Sequence, residues 1–211
     1  MPMKSPAAAF ALMAAALLAG CQSAAPIRYY TLLPAAGRDA RPAQDPAFRI
    51  AVAAVAIPSQ VDTPRIVIRE GAGRLRPVEA QRWIAPLADE VRAALSSALS
   101  HQLGVSDLGD AAGDDAGKLP LIRVRVSLHR FESVLGQQAL IEAGWTIASG
   151  SDPARRASCD SRVDVRVGAG FDALAEGHQR ALAMLAERIG RGIEALNAGR
   201  ASSVCSAADG G

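Results

Sequence analysis

Alternating apolar and polar positions dominate the second half of the chain. Residues 121–131 place an apolar side chain at every second position, and residues 138–149 and 162–167 repeat the pattern. A period of two is typical of half-buried antiparallel strands, so the sequence predicts a meander of three strands. The positions expected to face inward are Ile122, Val124, Val126, Leu128, Ala139, Ile141, Ala143, Trp145, Ile147, Val163, Val165 and Val167.

Two other segments carry apolar residues at helical spacing. Residues 81–103 predict a first helix, with Trp83 on its apolar stripe, Pro86 near its first turn and Gly104 as its stop. Residues 172–198 predict a closing helix that ends at Gly199. Its apolar stripe comprises Leu174, Leu182, Leu185, Ile189, Ile193 and Leu196.

The first half of the chain predicts shorter strands. Residues 48–57 are almost continuously apolar, which favours a central strand covered on both faces. Residues 64–69 and 74–78 flank a glycine-containing turn and predict a hairpin. Residues 29–32, Tyr-Tyr-Thr-Leu, are rich in β-forming residues and predict a first short strand.

These elements predict an α+β fold: a single domain with a mixed, largely antiparallel sheet and two long helices packed on one face. We place this domain at residues 48–199. An Ala- and Pro-rich tether that contains the first short strand precedes it at residues 21–47, and a tail of residues 200–211 follows.

The N-terminus has the pattern of an export signal. One basic residue, Lys4, precedes an apolar run that is too short to span a bilayer. The run closes on residues 18–21, Leu-Ala-Gly-Cys, which match the lipobox of bacterial lipoproteins. We therefore expect residues 1–20 to be removed as a signal peptide and Cys21 to be acylated, which would attach the chain to a membrane.

Cys159 and Cys205 remain once Cys21 is assigned to the anchor. An exported chain enters a disulfide-permissive compartment, so the two residues can form a bridge. The predicted closing helix runs back along the strand that precedes it and brings Cys205 towards Cys159. Two unpaired thiols are the alternative.

Charge and composition argue against a nucleic-acid partner. With Lys4 removed from the 23 basic residues, against 21 acidic ones, the mature chain is close to neutral, and aromatic residues make up 4%. The polar face of the meander carries both charges and is either a solvated face or a docking face for a partner. Its charged residues are Arg123, Arg125, Arg162, Arg166, Glu142 and Asp164.

No catalytic, metal or cofactor site is expected. His101, His129 and His178 lie on separate elements without ligand spacing. The acidic loop around Asp110, Asp114 and Asp115 lacks the spacing and closing glutamate of a calcium loop. Residues 168–173, Gly-Ala-Gly-Phe-Asp-Ala, form a glycine turn into a helix, but the second parallel strand of a dinucleotide fold is missing.

Several segments together resemble the PqiC/YmbA-like family of ABC-type transport auxiliary lipoproteins. They are the lipobox, residues 29–32, residues 64–67 before the hairpin, Arg82-Trp83 and Pro86-Leu87. The resemblance covers most of the chain through Leu99, while the C-terminal half matches as strands followed by a helix.

The resemblance implies a non-catalytic outer-membrane lipoprotein on the periplasmic side, working with an ABC transporter and an MCE-domain protein in lipid transport between the membranes. Gln22 after the cysteine fits sorting to the outer membrane. Some relatives form rings, so a homo-oligomer is implied as an option. The alternatives are a lipid-anchored envelope-integrity or assembly factor without a transporter partner and, with less support, an anchored periplasmic hydrolase.

Overall fold

The computed structural model describes residues 25–35, 47–109, 119–150, 152 and 154–209. It contains seven strands, three α-helices and two short 3₁₀ turns at Ser59–Val61 and Ala201–Ser203 in this part of the chain. The strands are β1 (Arg28–Tyr30), β2 (Arg49–Val52), β3 (Arg65–Arg69), β4 (Leu75–Trp83), β5 (Leu121–Val134), β6 (Gln138–Ser149) and β7 (Arg156–Arg166). The helices are α1 (Leu87–Leu103), α2 (Phe171–Asn197) and α3 (Val204–Asp209).

The larger sheet has four strands in the order β2-β5-β6-β7. Strands β5, β6 and β7 are antiparallel neighbours, which confirms the predicted meander, and β2 pairs with β5 in parallel. The inward positions are buried as the alternation predicts, with Ala139, Ile141 and Ile147 fully inaccessible to solvent and Val165 half-buried. A register shift in β5 between Leu128 and Arg130 bends this strand at His129.

Helices α1 and α2 lie together on one face of this sheet, so the predicted α+β class is confirmed. The apolar stripe of α2 is buried, and two glycines on this helix permit its close approach to the strands. A Cβ atom on Gly177 would lie 2.2 Å from Val167 Cγ1, and one on Gly192 would lie 2.8 Å from Trp145 Cη2. At these two glycines, the backbone of α2 therefore packs directly against the side chains of Trp145 in β6 and Val167 just after β7.

The smaller sheet has three strands in the order β1-β4-β3, so the strands of the fold are shared between two sheets. The predicted hairpin is confirmed as the antiparallel pair of β3 and β4, and β1 pairs with β4 in parallel. The two sheets meet where Trp83 of β4 contacts Phe131 of β5 edge to face, with ring centroids 6.1 Å apart.

The predicted start of the first helix at Gln81 is wrong. Residues 81–83 extend β4, because Gln81 pairs with Arg28 and Arg82 with both Tyr29 and Arg65. The helix begins at Leu87 after Pro86, whose ring disfavours a helical conformation in the residue before it. Trp83 is buried as expected, at 3% exposure, but on a strand. The helix ends at Gly104, as predicted, with φ of 65°.

The prediction of a central strand over residues 48–57 is also wrong. Strand β2 has four residues and lies at the edge of its sheet. Its apolar residues are nevertheless buried, because the chain after α1 covers the free edge. The Leu108 N–H donates to the Ile50 carbonyl at 2.9 Å, and the Val52 N–H donates to Asp107 Oδ1 at 2.9 Å. A covered edge strand has the same apolar composition as a central one.

Candidate functional site

The residues to which the sequence assigned chemistry are distributed along the whole molecule. The lipobox with Cys21 and the acidic residues Asp110, Asp114 and Asp115 lie outside the described residues. His101, His129 and His178 lie on α1, β5 and α2. Among the described residues, no group of three or more His, Cys, Asp or Glu side chains is arranged to hold a metal ion.

Cys159 and Cys205 are joined by a disulfide in the structure, with their Cα atoms 5.5 Å apart. Cys159 lies in β7, opposite Trp145, and Cys205 lies in α3. The end of α2 is held in the same region, because the Arg155 guanidinium donates to the Leu196 carbonyl. A cation here also interacts favourably with the negative end of the helix dipole. Val204 is fully buried beside Gly192, so the last helix is part of the core.

The segment that follows the lipobox is fastened to both long helices. Glu90 Oε2 accepts hydrogen bonds from the Leu32 N–H at 2.6 Å and from Thr31 Oγ1 at 2.8 Å. Gln179 Nε2 donates to the Thr31 carbonyl at 3.0 Å, and the Leu32 side chain is fully buried between these contacts. We call these four residues, Thr31, Leu32, Glu90 and Gln179, the N-terminal clasp.

The clasp sets how far the domain can lie from Cys21. Strand β1 begins at Arg28 and is paired within a sheet, so at most six residues of chain separate Cys21 from the residue before this strand. Six residues span roughly 20 Å when fully extended. The clasp joins the chain directly after β1 to α1 and α2.

Sequence reasoning missed the clasp, although one signal for it was present. Glu90 is three residues after Leu87 and one before Val91, so it lies on the buried side of α1, where it is 5% exposed. A carboxylate in an apolar stripe requires a hydrogen-bonding partner, since burying an unpaired charge is costly. The pattern indicated that Glu90 has a partner without showing which segment provides it.

A second group of charged side chains connects the two sheets. Arg69 of β3 contacts Glu132 of β5 at 2.6 Å, and Arg130 bridges Glu132 at 2.9 Å and Glu142 at 3.0 Å. Arg162 of β7 also pairs with Glu142, the cross-strand pair expected from the polar face. We call these five residues the cross-sheet network. Burial raises the pKa of Glu132, but hydrogen bonds from Arg69 and Arg130 outweigh this effect and hold its pKa below the usual range.

The face of the four-stranded sheet that points away from the helices carries an open hollow of about 640 Å³. Gly144 lines this hollow, and a Cβ atom at Gly144 would meet His129 Cε1 at 3.0 Å and Asp160 Oδ1 at 3.2 Å. The His129 and Asp160 side chains therefore lie over Gly144, which has no side chain of its own. With Arg125 and Ser158 exposed on the same face, the hollow forms a polar surface that a partner could contact.

His178 occupies a buried position where α2 meets both sheets. Its ring stacks on Phe131 with centroids 4.0 Å apart, and Trp83 approaches edge-on at 6.3 Å. Nε2 shares a hydrogen bond of 2.8 Å with Ser133 Oγ, while Nδ1 has no hydrogen-bond partner in the structure. Burial lowers the pKa of His178 to about 3, so the ring is neutral in the folded protein at neutral pH.

This histidine should make the protein sensitive to acid. The unfolded chain binds a proton at His178 below pH about 6.5, whereas the folded chain does so only near pH 3, so stability is full above 6.5 and falls as the pH drops. The expected slope from this group is about 1.4 kcal/mol per pH unit. Urea unfolding between pH 7 and 4 should show a shallower decline of stability for His178→Gln than for the parent protein. A decline as steep as that of the parent would contradict the assignment.

Taken together, the described residues form a domain held at its N-terminal end, with an exposed polar sheet face and a rigid core. Among the described helices, none is both long enough and apolar enough to cross a membrane. The features that stand out are the clasp at the N-terminal end of the described residues and the polar hollow on the sheet face opposite the helices.

Comparison with known proteins assigns the family. The family model of the ABC-type transport auxiliary lipoprotein component matches residues 30–190, and the chain belongs to this family. The match begins at Tyr30, the last residue of β1, and includes the clasp, strands β2 to β7 and most of α2. No curated protein gives a significant match to the chain.

Solved structures share the fold at low sequence identity. A crystal structure of an uncharacterised protein is 19% identical, has a TM-score of 0.64, and is aligned over 80% of this chain and 99% of its own. The crystal structure of protein XCC0632 from Xanthomonas campestris is 21% identical, has a TM-score of 0.61, and is aligned over 85% of this chain and 99% of its own. At these identities the likeness establishes the fold alone.

Proposed function

We propose that this protein is a non-catalytic outer-membrane lipoprotein, acylated at Cys21 and facing the periplasm, which serves as accessory subunit of an ABC/MCE-type lipid transport system. The observation that carries the proposal is the family match over residues 30–190, since that family is named for an auxiliary role in ABC-type transport. In this view the protein contributes binding surfaces and a membrane attachment, while the transporter components supply energy and move the lipid.

The arrangement of the described residues supports such a role. The clasp joins the segment after Cys21 to α1 and α2, so a force on the anchor is carried into the core. The polar sheet face around Gly144 lies on the side of the sheet opposite these helices and offers a surface for an MCE-domain protein. The homo-oligomer implied by the resemblance stays a prediction.

The partner proposal is tested by affinity purification of the full-length tagged chain from detergent-solubilised native membranes. We expect mass spectrometry to recover an ABC transporter component or an MCE-domain protein. Recovery of neither, while other envelope proteins co-purify, would favour the alternative of an envelope-integrity or assembly factor without a transporter partner. Turnover of an envelope substrate by the purified protein would contradict the non-catalytic role.

The anchor is tested separately by Cys21→Ala. We expect the variant to leave the membrane fraction and appear in the soluble periplasmic fraction, because the acyl chains would provide the main attachment. Its circular dichroism spectrum should match that of the parent, since Cys21 lies outside the family match. A variant that still fractionates with membranes would show that another contact holds the protein there.

A further inference from the structure

Exposed large apolar side chains are concentrated at one end of the molecule. Of those on the described residues, Leu135 and Met184 lie elsewhere, while Ile27, Tyr29, Leu33 and Ile84 lie on or beside β1. Ile27, Tyr29 and Ile84 are also the most exposed of the set, at 45%, 56% and 59%. We call these three residues the anchor-proximal patch.

The strand register places the patch on one face of the smaller sheet. Tyr29 is paired with Arg82 in the parallel alignment of β1 and β4, and Ile27 and Ile84 are each two residues from that pair. Side chains two residues apart point to the same side of a sheet. Tyr29 and Ile84 both line an open hollow of about 450 Å³, together with Arg82 and Pro64. Tyr29 and Ile84 therefore share one surface, and Ile27 immediately precedes β1, two residues before Tyr29.

Chain length decides what can cover this surface. Ile27 is six residues after Cys21, a distance of at most roughly 20 Å even for a fully extended chain. The clasp prevents β1 from separating from the domain to lengthen this spacer. If Cys21 carries acyl chains, the patch lies within reach of the headgroup layer of the same membrane.

The chemistry of the patch suits a lipid surface. Tyrosine is enriched at membrane interfaces, where its ring contacts acyl chains and its hydroxyl stays in water, and aliphatic side chains enter the boundary beside it. Arg82 on the same face carries a positive charge that attracts anionic headgroups. Asp62 also lines the hollow, and Arg65, opposite Arg82 in β3, is paired with Glu79 at 3.1 Å. Exposed apolar side chains that lie close together often mark an interaction site.

We propose that the anchor-proximal patch rests on the lipid surface and sets the orientation of the domain, so that the smaller sheet faces the membrane. This inference rests on the proposed acylation of Cys21. The anchor alone would hold the protein at the membrane in any orientation, whereas the patch gives it a second contact.

The test measures contact with lipid directly. The full-length acylated protein is reconstituted in vesicles of phosphatidylethanolamine and phosphatidylglycerol, with and without brominated acyl chains, which quench tryptophan on contact. Separate variants carry Tyr29→Trp or Ile84→Trp. Met184→Trp is the matched control, because Met184 is an exposed apolar residue on α2. The parent protein supplies the background of Trp83 and Trp145, which are 3% and 2% exposed.

We expect the brominated lipid to remove the emission added by Tyr29→Trp and Ile84→Trp and to leave that added by Met184→Trp unchanged. Equal quenching at all three positions, or none, in protein that floats with the vesicles would overturn the patch and leave the anchor intact. Protein that fails to float would overturn both the anchor and the inference. A blue shift of emission without quenching would show that a second copy or another protein covers the patch, which also overturns the proposal.

Discussion

Loss of the disulfide between Cys159 and Cys205 is expected to lower the free energy of unfolding by about 4 kcal/mol. The bridge closes a loop with a sequence separation of 46 residues, and in the chain-entropy model the stabilisation from such a loop has this size. The loop contains all of α2. Without the bridge, this part of the unfolded chain has more conformational freedom to lose on folding. Urea unfolding of Cys205→Ser should show the loss, and the same loss should appear when the parent protein is reduced.

The matched control is Ser206→Ala, at the neighbouring exposed residue of α3, which should leave the free energy of unfolding within about 0.5 kcal/mol of the parent. The double variant with Cys159→Ser should lose little more than Cys205→Ser alone, since one bridge is removed in both. A loss below about 1 kcal/mol for Cys205→Ser would mean that the packing of Val204 holds α3 without the bridge.

Opening the clasp by Glu90→Ala is expected to cost about 2 to 4 kcal/mol. The carboxylate accepts two hydrogen bonds; the loss of one costs about 0.5 to 1.5 kcal/mol, and the loss of the other leaves a buried donor unpaired, which costs about 1 to 3 kcal/mol. The Leu32 N–H would become that donor. We expect faster hydrogen exchange in residues 28–33 and a lower midpoint of urea unfolding.

Asp89→Ala provides a close control for this variant. Asp89 and Glu90 both lie in the first turn of α1, where a carboxylate interacts with the helix dipole, but Asp89 is exposed. Subtracting its effect leaves the contribution of the clasp. Unchanged hydrogen exchange in residues 28–33 of Glu90→Ala would show that the burial of Leu32 alone fastens this segment.

The sequence predicted best where each residue's environment follows from its near neighbours. The alternation in residues 121–131 and 138–149 and the stripe of α2 indicated the inward positions correctly, because period and burial are tied together within one strand or helix. It failed at residues 81–83, which fit either an apolar helix stripe or a strand. These residues form a strand because they pair with Arg28 and Arg65, which are distant in the chain.

The candidate site was less predictable for the same reason. The predicted acylation of Cys21 depends on four consecutive residues, whereas Gln179 of the clasp is 148 residues from Thr31. The cross-sheet network was foreseen only at Glu142 and Arg162, which lie on adjacent strands of the meander. Arg69 joins the network from the other sheet, a contact to which no local pattern points.

By itself, the sequence determined the meander, the stripe of the closing helix and the α+β class, since these depend on the order of residues within short segments; the acylation of Cys21 stays a prediction. Only the tertiary structure decided that the chain after the first strand is fastened by Glu90 and Gln179, that β2 lies at a covered edge and that Tyr29 and Ile84 line one hollow. The physical reason is that hydrogen bonds and burial between distant segments depend on how the elements pack. The hydrogen bonds of a buried carboxylate and the exposure of an isoleucine therefore correspond to no periodic pattern in the sequence.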